Sequence, residues 1–189
     1  LAHRWDSMAL PETEGRIAGI FARLNIRPGS RVLDIGSGTG VLLPFLLRCL
    51  DSSGTVVEMD IAVEMLKRGR QKVPGDRVAF VQGDAHCLPF ASDIFDLVIC
   101  HNTFPHFTDK ERALGEMARV TGAGGRVVIS HTMSRNAVND LHRQVGGIVE
   151  HDRLPENQVL IDWLRGAGLS RPSIEDTTER YLVVAWKGD

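Results

Sequence analysis

The stretch VLDIGSGTG, which runs from Val32 to Gly40, is the part of the sequence that decides the fold. An apolar run meets the acid Asp34, and glycines then follow at every second position, at Gly36, Gly38 and Gly40. Because glycine has no Cβ and adopts positive φ without strain, such a loop lets backbone N–H groups touch a ligand. The stretch therefore predicts a strand followed by a loop that binds a dinucleotide or a sulfonium cofactor, or that is a tight turn without a ligand.

The rest of the chain alternates between two hydrophobic periods, and this alternation indicates the fold class. Short β-branched runs predict five strands, at Arg31–Ile35, Thr55–Asp60, Val78–Gln82, Phe95–Cys100 and Arg126–Ser130. Spacing near 3.6 residues predicts helices at Pro11–Leu24, Val41–Leu50, Ala62–Lys72, Asp109–Val120, Asn136–Val145 and Glu156–Ala167. Strands that alternate with helices are typical of an α/β fold with a doubly wound, mostly parallel sheet.

The last part of the chain has a different pattern. Pro172–Asp176 and Arg180–Trp186 predict two short strands joined by a tight turn, which is typical of an antiparallel hairpin. No repeat, linker or low-complexity tract interrupts the sequence, so we interpret residues 1–189 as a single domain.

Composition excludes several classes of protein. Hydrophobic residues make up 43% of the chain and the net charge is −2, which indicates a soluble globular protein and no nucleic-acid partner. No apolar run approaches the roughly 18 residues of a membrane helix, so we expect neither a membrane span nor a signal peptide. The three cysteines lack C-x-x-C spacing, which favours a reducing compartment and predicts a cytoplasmic protein. The oligomeric state stays open, a homodimer being one option.

The spacing of the glycines separates two kinds of ligand. A dinucleotide loop has the pattern G-x-G-x-x-G, whose last glycine lies beside a pyrophosphate. Here the sixth position is Val41, and Asp34 stands two residues before the first glycine. A carboxylate is an unusual neighbour for a pyrophosphate and suits a ligand with an ammonium group.

Two further acids follow the next two strands. Asp60 ends the second strand, where a carboxylate can accept the hydroxyls of a ribose, and Glu58 is the alternative because it points to the same side. Asp84 follows the third strand and can accept from an exocyclic amine such as that of adenine. Taken singly, each acid is equally well explained as a turn residue or a helix cap. Three acids at the ends of consecutive strands favour a ligand.

As an ordered set, these motifs resemble the class I S-adenosylmethionine-dependent methyltransferases. The set is VLDIGSGTG, VVEMD, GDAHCLPF, FDLVI and GAGGRVVIS, and it spans roughly Ala18 to Ser130. The chain is most similar to the small-molecule branch that includes ubiquinone/menaquinone-biosynthesis-type enzymes. The resemblance implies a Rossmann-like, seven-stranded sheet that ends in an antiparallel hairpin, with S-adenosylmethionine as cofactor.

The resemblance also implies roles for individual residues. The implied cofactor-binding residues are Asp34, Gly36, Ser37, Gly38 and Gly40 for the methionine part, Asp60 and Ile61 for the ribose, Asp84 and Ala85 for the adenine, and Cys100 near the methyl group. Leu88, Pro89 and Phe90 are expected on the adenine side. One departure matters: the family often has glycine where this chain has Glu58.

Histidines gather in the segments expected at the acceptor side. His101 and His106 flank the segment after the fourth strand, His131 ends the fifth, and His142 lies on the next helix. We name His101, His106 and His131 as candidate catalytic residues, because an imidazole can take a proton from an O–H, N–H or S–H nucleophile. Two other interpretations stay open, a site for a metal or metalloid substrate and ordinary structural histidines.

Other residues of this region have weaker signals. H-E-x-x-H and H-x₃-H spacings are absent, and no metal ligand set is predicted. His86 and His151 are interpreted as ordinary loop residues, and Cys100 is also explained as a small buried residue. Trp5 to Met8 and Ser130 to Pro155 are expected to complete the acceptor pocket.

The sequence thus predicts methyl transfer from S-adenosylmethionine to a small-molecule acceptor. The first alternative is an S-adenosylmethionine-binding protein with a histidine-based metal or metalloid site. The second is an NAD(P)-dependent oxidoreductase, which Val41 at the sixth loop position and the acids Asp34 and Asp84 disfavour.

Overall fold

The computed structural model describes residues 11–72 and 77–188, and in them seven strands form one sheet. The strands are β1 Arg31–Ile35, β2 Thr55–Asp60, β3 Val78–Gln82, β4 Phe95–His101, β5 Thr121–His131, β6 Leu169–Asp176 and β7 Tyr181–Lys187. The α-helices are α1 Pro11–Leu24, α2 Leu43–Cys49, α3 Val63–Gln71, α4 Lys110–Val120, α5 Arg135–Val145 and α6 Asn157–Gly166. Single 3₁₀ turns lie at Phe104–His106 and Gly147–Val149. The segment Trp5 to Met8, which was predicted to complete the acceptor pocket, lies outside the described residues.

The strand order confirms the predicted architecture. The order across the sheet is β3-β2-β1-β4-β5-β7-β6, and the pairs from β3 to β5 are all parallel. β7 runs antiparallel to both β5 and β6, which gives the expected C-terminal hairpin. The order reverses beside β1, whose neighbours are β2 and β4. In sheets of this kind the crevice at such a reversal binds the ligand.

The register of the central strands brings acids together. In the parallel pair of β1 and β2, Asp34 lies opposite Glu58. On the other side of β1, Ile35 lies opposite Cys100 of β4. Both carboxylates are therefore close neighbours near the carboxyl end of the sheet, which the separate sequence motifs did not show.

The start of β5 differs from the prediction. The strand begins at Thr121 rather than Arg126, because the glycine-rich stretch pairs with β4 instead of forming a separate turn. Phe95 pairs with Thr121 and Leu97 with Arg126, so the residues between form an irregular bulge. Glycine fits there because a Cβ at Gly125 would come within 2.8 Å of a backbone oxygen.

Other boundaries also shift, most of them by one residue. The helix predicted at Val41–Leu50 occupies only Leu43–Cys49, because the residues after the glycine loop form turns and Pro44 lies in the first helical turn. The strand predicted at Pro172 begins at Leu169, and a bulge between Ser170 and Ser173 contains the proline. Asp109 caps α4 from outside it and accepts a hydrogen bond from the Arg112 N–H.

Two apolar layers cover the faces of the sheet. One contains Ile17, Ile20 and Leu24 of α1, each at most 1% exposed, as their helical spacing predicts. The other contains Leu114 of α4 and Leu160 of α6, which are fully buried. Burying one such side chain stabilises a fold by about 1.5–3 kcal/mol, so these layers hold the edge of the sheet in place. In the described part of the chain, no helix is both long and apolar enough to cross a membrane.

Candidate functional site

The glycine loop turns sharply from β1 toward β2. The N–H groups of Gly36 and Ser37 both donate to the carbonyl oxygen of Met59, at 2.7 and 3.0 Å. Gly36, Gly38 and Gly40 have φ values of 69°, 57° and 76°, which side chains rarely adopt. A Cβ at Gly36 would also lie 2.3 Å from the side chain of Thr103. Glycine is therefore required at this position by both backbone conformation and space.

Asp60 fixes the glycine loop from the end of β2. Its Oδ2 accepts a hydrogen bond from the Gly38 N–H at 2.9 Å, and its Oδ1 accepts from the Ala62 N–H at 2.8 Å. Each carboxylate oxygen keeps a further lone pair, so Asp60 can still accept from hydroxyl groups. Ile61 beside it is 68% exposed, which is unusual for a large apolar side chain and leaves it open to a ligand.

Two buried carboxylates lie beneath the loop without partners. Asp34 is 1% exposed and Glu58 is fully buried, and no oxygen of either side chain has a hydrogen-bond partner among the described residues. Burial raises the pKa of Asp34 well above its usual range, and the negative charges of Glu58 and Asp60 raise it further. Burial also raises the pKa of Glu58 to about 7, although the nearby Ser37 hydroxyl opposes this. These groups attract a cation or a proton.

On the adenine side, Asp84 is held by its neighbour. Its Oδ1 accepts from both the backbone N–H and the Nδ1–H of His86, at 2.9 and 2.6 Å, and these bonds lower the pKa of Asp84. The His86 Nε2 accepts from the Asp109 N–H at 3.2 Å. His86 is therefore more than the ordinary loop residue that we expected, because it orients the acid. Ala85 and Leu88 are buried beside it.

Cys100, predicted near the methyl group or as a small buried residue, has no exposed surface. The side chain is fully buried, and burial raises the pKa of its thiol well above the usual range. The backbone N–H groups of Thr103 and Phe104, which lie near the thiol, oppose this shift. The turn after β4 thus covers the cysteine, so it is a core residue in this structure.

Two of the candidate catalytic histidines are buried. The His101 Nδ1 lies 2.9 Å from the Ser130 Oγ, and burial lowers the pKa of this imidazole to about 4. His131 is 2% exposed, and burial together with the neighbouring His101, His106 and His142 lowers its pKa well below the usual value. The Nε2 atoms of both His101 and His131 are buried and have no partner among the described residues.

The other two histidines share contacts with Asp152, and of the two His106 is partly exposed and His142 is buried. The His106 Nδ1 lies 2.6 Å from the Asp152 Oδ2, and the His142 Nδ1 lies 2.6 Å from the Asp152 carbonyl oxygen. The rings of His106 and His142 are 5.0 Å apart between centroids. The four histidines that the sequence placed near one another are therefore brought together. His151 is exposed and takes no part.

The cluster does not form a metal centre. Within residues 11–72 and 77–188, no group of three or more histidine, cysteine or acidic side chains is placed to hold a metal ion. The Nδ1 atoms of His106 and His142 contact oxygens of Asp152 rather than lying free to bind a metal. The metal and metalloid interpretation therefore has no support.

Sequence reasoning missed Asp152, and it placed Thr103 with Cys100 near the methyl group without its connecting role. Asp152 lies in the connection between α5 and α6 and has no motif around it. The Thr103 hydroxyl lies 3.0 Å from both the Gly36 and the His101 carbonyl oxygens, so it joins the glycine loop to the histidines. The strained turn at Asn102, with φ of 54°, follows His101 and aims Thr103 at the loop.

Comparison with known proteins assigns this fold and site to a family. A family model for a methyltransferase domain matches residues 33–129, which run from β1 to β5. The chain therefore belongs to this methyltransferase-domain family, and the resemblance to class I S-adenosylmethionine-dependent methyltransferases is confirmed. The matched range contains the glycine loop, Asp60, Asp84 and the turn with His106.

Curated relatives have the same name in several bacteria. The chain is 42% identical over 108 residues to the ubiquinone/menaquinone biosynthesis C-methyltransferase UbiE of Hahella chejuensis. The match covers 55% of this chain and 43% of that protein. The same enzyme of Vibrio campbellii is 40% identical over 107 residues, with 54% and 41% covered. The chain thus spans less than half the length of these relatives.

Solved structures support the fold. A complex of the Haloferax volcanii Trm112 methyltransferase activator with a putative methyltransferase matches with a TM-score of 0.82 and 21% identity, over 100% of this chain and 94% of that one. A SAM-dependent methyltransferase of Aquifex aeolicus matches with a TM-score of 0.79 and 19% identity, over 98% of each chain. At these identities the likeness concerns the fold alone.

Proposed function

We propose that this protein transfers a methyl group from S-adenosylmethionine to a small-molecule acceptor. The observation that carries the proposal is the pair of buried, unpartnered carboxylates, Asp34 and Glu58, beneath a loop of three positive-φ glycines. Buried polar groups in native proteins are nearly always hydrogen-bonded, so unpartnered ones at a ligand crevice favour a ligand that satisfies them. A cationic amino-acid group has the matching charge.

Residues at the carboxyl edge of the sheet would suit each part of the cofactor. Asp34 and the loop Gly36–Gly40 would hold the methionine part, whose ammonium group suits a buried acid. Asp60 and the exposed Ile61 would hold the ribose, since both carboxylate oxygens keep lone pairs. Asp84 and Ala85 would hold the adenine, with the second oxygen of Asp84 free for its amino group.

When bound, S-adenosylmethionine supplies a methyl group on a positively charged sulfur, which is already activated for displacement. The protein therefore contributes chiefly position, because an in-line displacement depends on alignment of the two reacting atoms. The glycine loop and Asp60 fix the donor side, while the turn after β4 and the histidines lie on the acceptor side. Thr103 keeps these two sides in register through its hydroxyl contacts.

The relatives suggest which class of acceptor to test first. The relatives are C-methyltransferases of ubiquinone and menaquinone biosynthesis, so an acceptor of that kind, methylated on carbon, is tested first. His101, His106 and His131 are the candidate groups for removing an acceptor proton, and they surround one region of the site. A small-molecule acceptor agrees with this arrangement.

The test is binding followed by turnover. Calorimetry with S-adenosylhomocysteine and with NADH separates the proposal from an oxidoreductase, and we expect binding of S-adenosylhomocysteine alone. Release of S-adenosylhomocysteine from S-adenosylmethionine is then measured with phenols, quinols, amines and thiols. Binding without release for every acceptor would indicate a binding protein, and binding of NADH alone would refute the proposal.

Asp34→Asn should weaken S-adenosylhomocysteine binding about 10-fold or more, because the buried charge is lost. The exposed Asp162→Asn is the matched control.

A further inference from the structure

His106 and Asp152 form a pair with a defined arrangement of protons. The His106 Nδ1 lies 2.6 Å from the Asp152 Oδ2, and a carboxylate can only accept. The proton of the neutral imidazole therefore lies on Nδ1, and Nε2 keeps a free lone pair. Nε2 has no hydrogen-bond partner among the described residues, and the side chain is 29% exposed. The side chain thus has part of its surface exposed among the described residues.

Asp152 is itself held in place by backbone contacts. Its carbonyl oxygen accepts the Nδ1–H of His142 at 2.6 Å, and its N–H donates to the Val149 carbonyl oxygen at 3.0 Å. The His142 ring packs against His106 with a centroid distance of 5.0 Å. The imidazole of His106 is thus fixed at Nδ1 by the carboxylate and on one side by a second ring.

The pair is linked to the glycine loop through a single turn of the chain. His106 ends the 3₁₀ turn Phe104–His106, which follows β4 at the carboxyl edge of the sheet. Thr103, at the start of this turn, contacts Gly36 of the loop, and the His106 N–H donates to the Thr103 carbonyl oxygen at 2.9 Å. One short turn therefore connects the imidazole to the backbone that would hold the methyl donor.

The other histidines are poor candidates for the same role. Burial lowers the pKa of His101 to about 4 and that of His131 well below its usual value. A base of such low pKa takes a proton inefficiently near neutral pH. Neither ring has a carboxylate partner among the described residues, whereas His106 has one that compensates the charge it gains on protonation.

We propose that His106 is the general base of this enzyme and that Asp152 is its positioning residue, so that the acceptor is a phenol or enol with a weakly acidic proton. The inference rests on the proposed methyl transfer. The acceptor's proton passes to the His106 Nε2, and the electron pair it leaves behind supplies the nucleophile. This nucleophile bonds to the methyl carbon, and the electrons of the breaking carbon–sulfur bond stay on sulfur.

Other titratable groups face this pair and set its pH response. His142 of α5 contacts the same aspartate, His131 of β5 lies close enough to His106 and His142 that they help to lower the pKa of His131, and Lys110 of α4 lies near Asp152. Burial lowers the pKa of Lys110, while Asp152 opposes this. Variants are therefore compared as full pH profiles of kcat and kcat/KM rather than at one pH.

The variants are His106→Gln, Asp152→Asn and Asp152→Glu, with His151→Gln as the matched control on the neighbouring exposed histidine. Turnover is measured with catechol and with 4-nitrocatechol, which is ionised at the assay pH. We expect His106→Gln to lower kcat about 100-fold or more with catechol and less than about 10-fold with 4-nitrocatechol. Asp152→Asn should cause a smaller loss that Asp152→Glu partly restores. Affinity for S-adenosylhomocysteine should stay within about 2-fold.

A second readout does not depend on turnover. Nitrogen-15 NMR of the histidine side chains should show the Nδ1–H tautomer for His106 in the wild type and a mixture of tautomers in Asp152→Asn. Equal losses with both acceptors, or a mixed tautomer in the wild type, would overturn the base assignment. Turnover of amines but not of catechols would also overturn it, while methyl transfer itself would stand. Absence of both cofactor binding and turnover would instead refute the proposed function and this inference with it.

Discussion

The carboxylate side of the site, made of Asp34, Ser37 and Glu58, contrasts with the histidine side, made of His101 and His131. In the described part of the chain, every buried side-chain oxygen or nitrogen without a hydrogen-bond partner belongs to one of these five residues. Native proteins leave few such atoms, so their concentration in these residues supports the proposed site. Burial disfavours a negative charge on the carboxylate side and a positive charge on the histidine side.

The physical consequence is an opposite response to pH. Burial raises the pKa of the carboxylates, so acid favours the folded form on that side. It lowers the pKa of the imidazoles, so acid favours the unfolded form on the other side. Protonation of the carboxylates therefore increases the stability of the fold, whereas protonation of the histidines decreases it.

The strongest test of the carboxylate side is Gly36→Ala. A Cβ there would lie 2.3 Å from Thr103 in a backbone of φ 69°, so the loop must shift. We expect the affinity for S-adenosylhomocysteine, measured by calorimetry, to fall about 100-fold or more, which is about 3 kcal/mol. Gly115→Ala is the control, since no atom lies within 4 Å of its Cβ and alanine favours the interior of α4. A folded Gly36→Ala protein with unchanged affinity would contradict the loop assignment.

Glu58→Gln tests the charge beneath the loop. The pKa of Glu58 rises from 4.5 in the unfolded chain to about 7, so its contribution to stability is present below pH 4.5 and is lost as the pH rises to 7. The shift corresponds to about 3 kcal/mol, which Glu58→Gln should recover at pH 8 but not at pH 4.5. Urea unfolding at both pH values measures this. A variant that is less stable at pH 8 would show that a partner satisfies the charge.

His101→Asn makes the same test on the histidine side, with the opposite sign. The pKa of His101 falls from 6.5 in the unfolded chain to about 4 in the folded protein. The unfolded chain therefore binds the proton more readily, and the folded protein loses stability as the pH falls from 6.5 toward 4. His101→Asn should remove up to about 3 kcal/mol of the stability that the wild type loses in acid. At pH 6.5 the variant should be less stable than the wild type. The slope of unfolding free energy between pH 6.5 and 4.5 is the measurement. An unchanged slope would show that protonation of His101 does not cause the loss of stability in acid.

The smallest expected effect is at the residue that joins the two sides. Thr103→Val keeps the shape but removes the hydroxyl that lies between the carbonyl oxygens of Gly36 and His101. We expect a loss of about 1 kcal/mol of stability, with Thr103→Ser close to the wild type. Thermal unfolding of the three proteins checks this. If Thr103→Val matched the wild type, the two sides would be energetically independent.

Much of the carboxylate side could be predicted from the sequence. The glycine loop and Asp60 lie within one β-α-β unit, where short-range spacing fixes which residues follow which strand. The strands β1, β2 and β3 begin and end where their β-branched runs predict. The start of β5 was predicted wrongly, because glycines indicate a turn while the pairing with β4 makes them part of a strand.

The sequence by itself determined the fold class, the glycine loop and the family, because strand and helix periods and loop spacing are local properties. Only the tertiary structure decided that Glu58 is buried opposite Asp34, that Cys100 lies in the core and that Asp152 meets His106 from 46 residues away. Contacts of that range depend on how separate elements pack, and no local pattern encodes them. The pKa shifts follow from the same cause, since burial is a property of the packed chain.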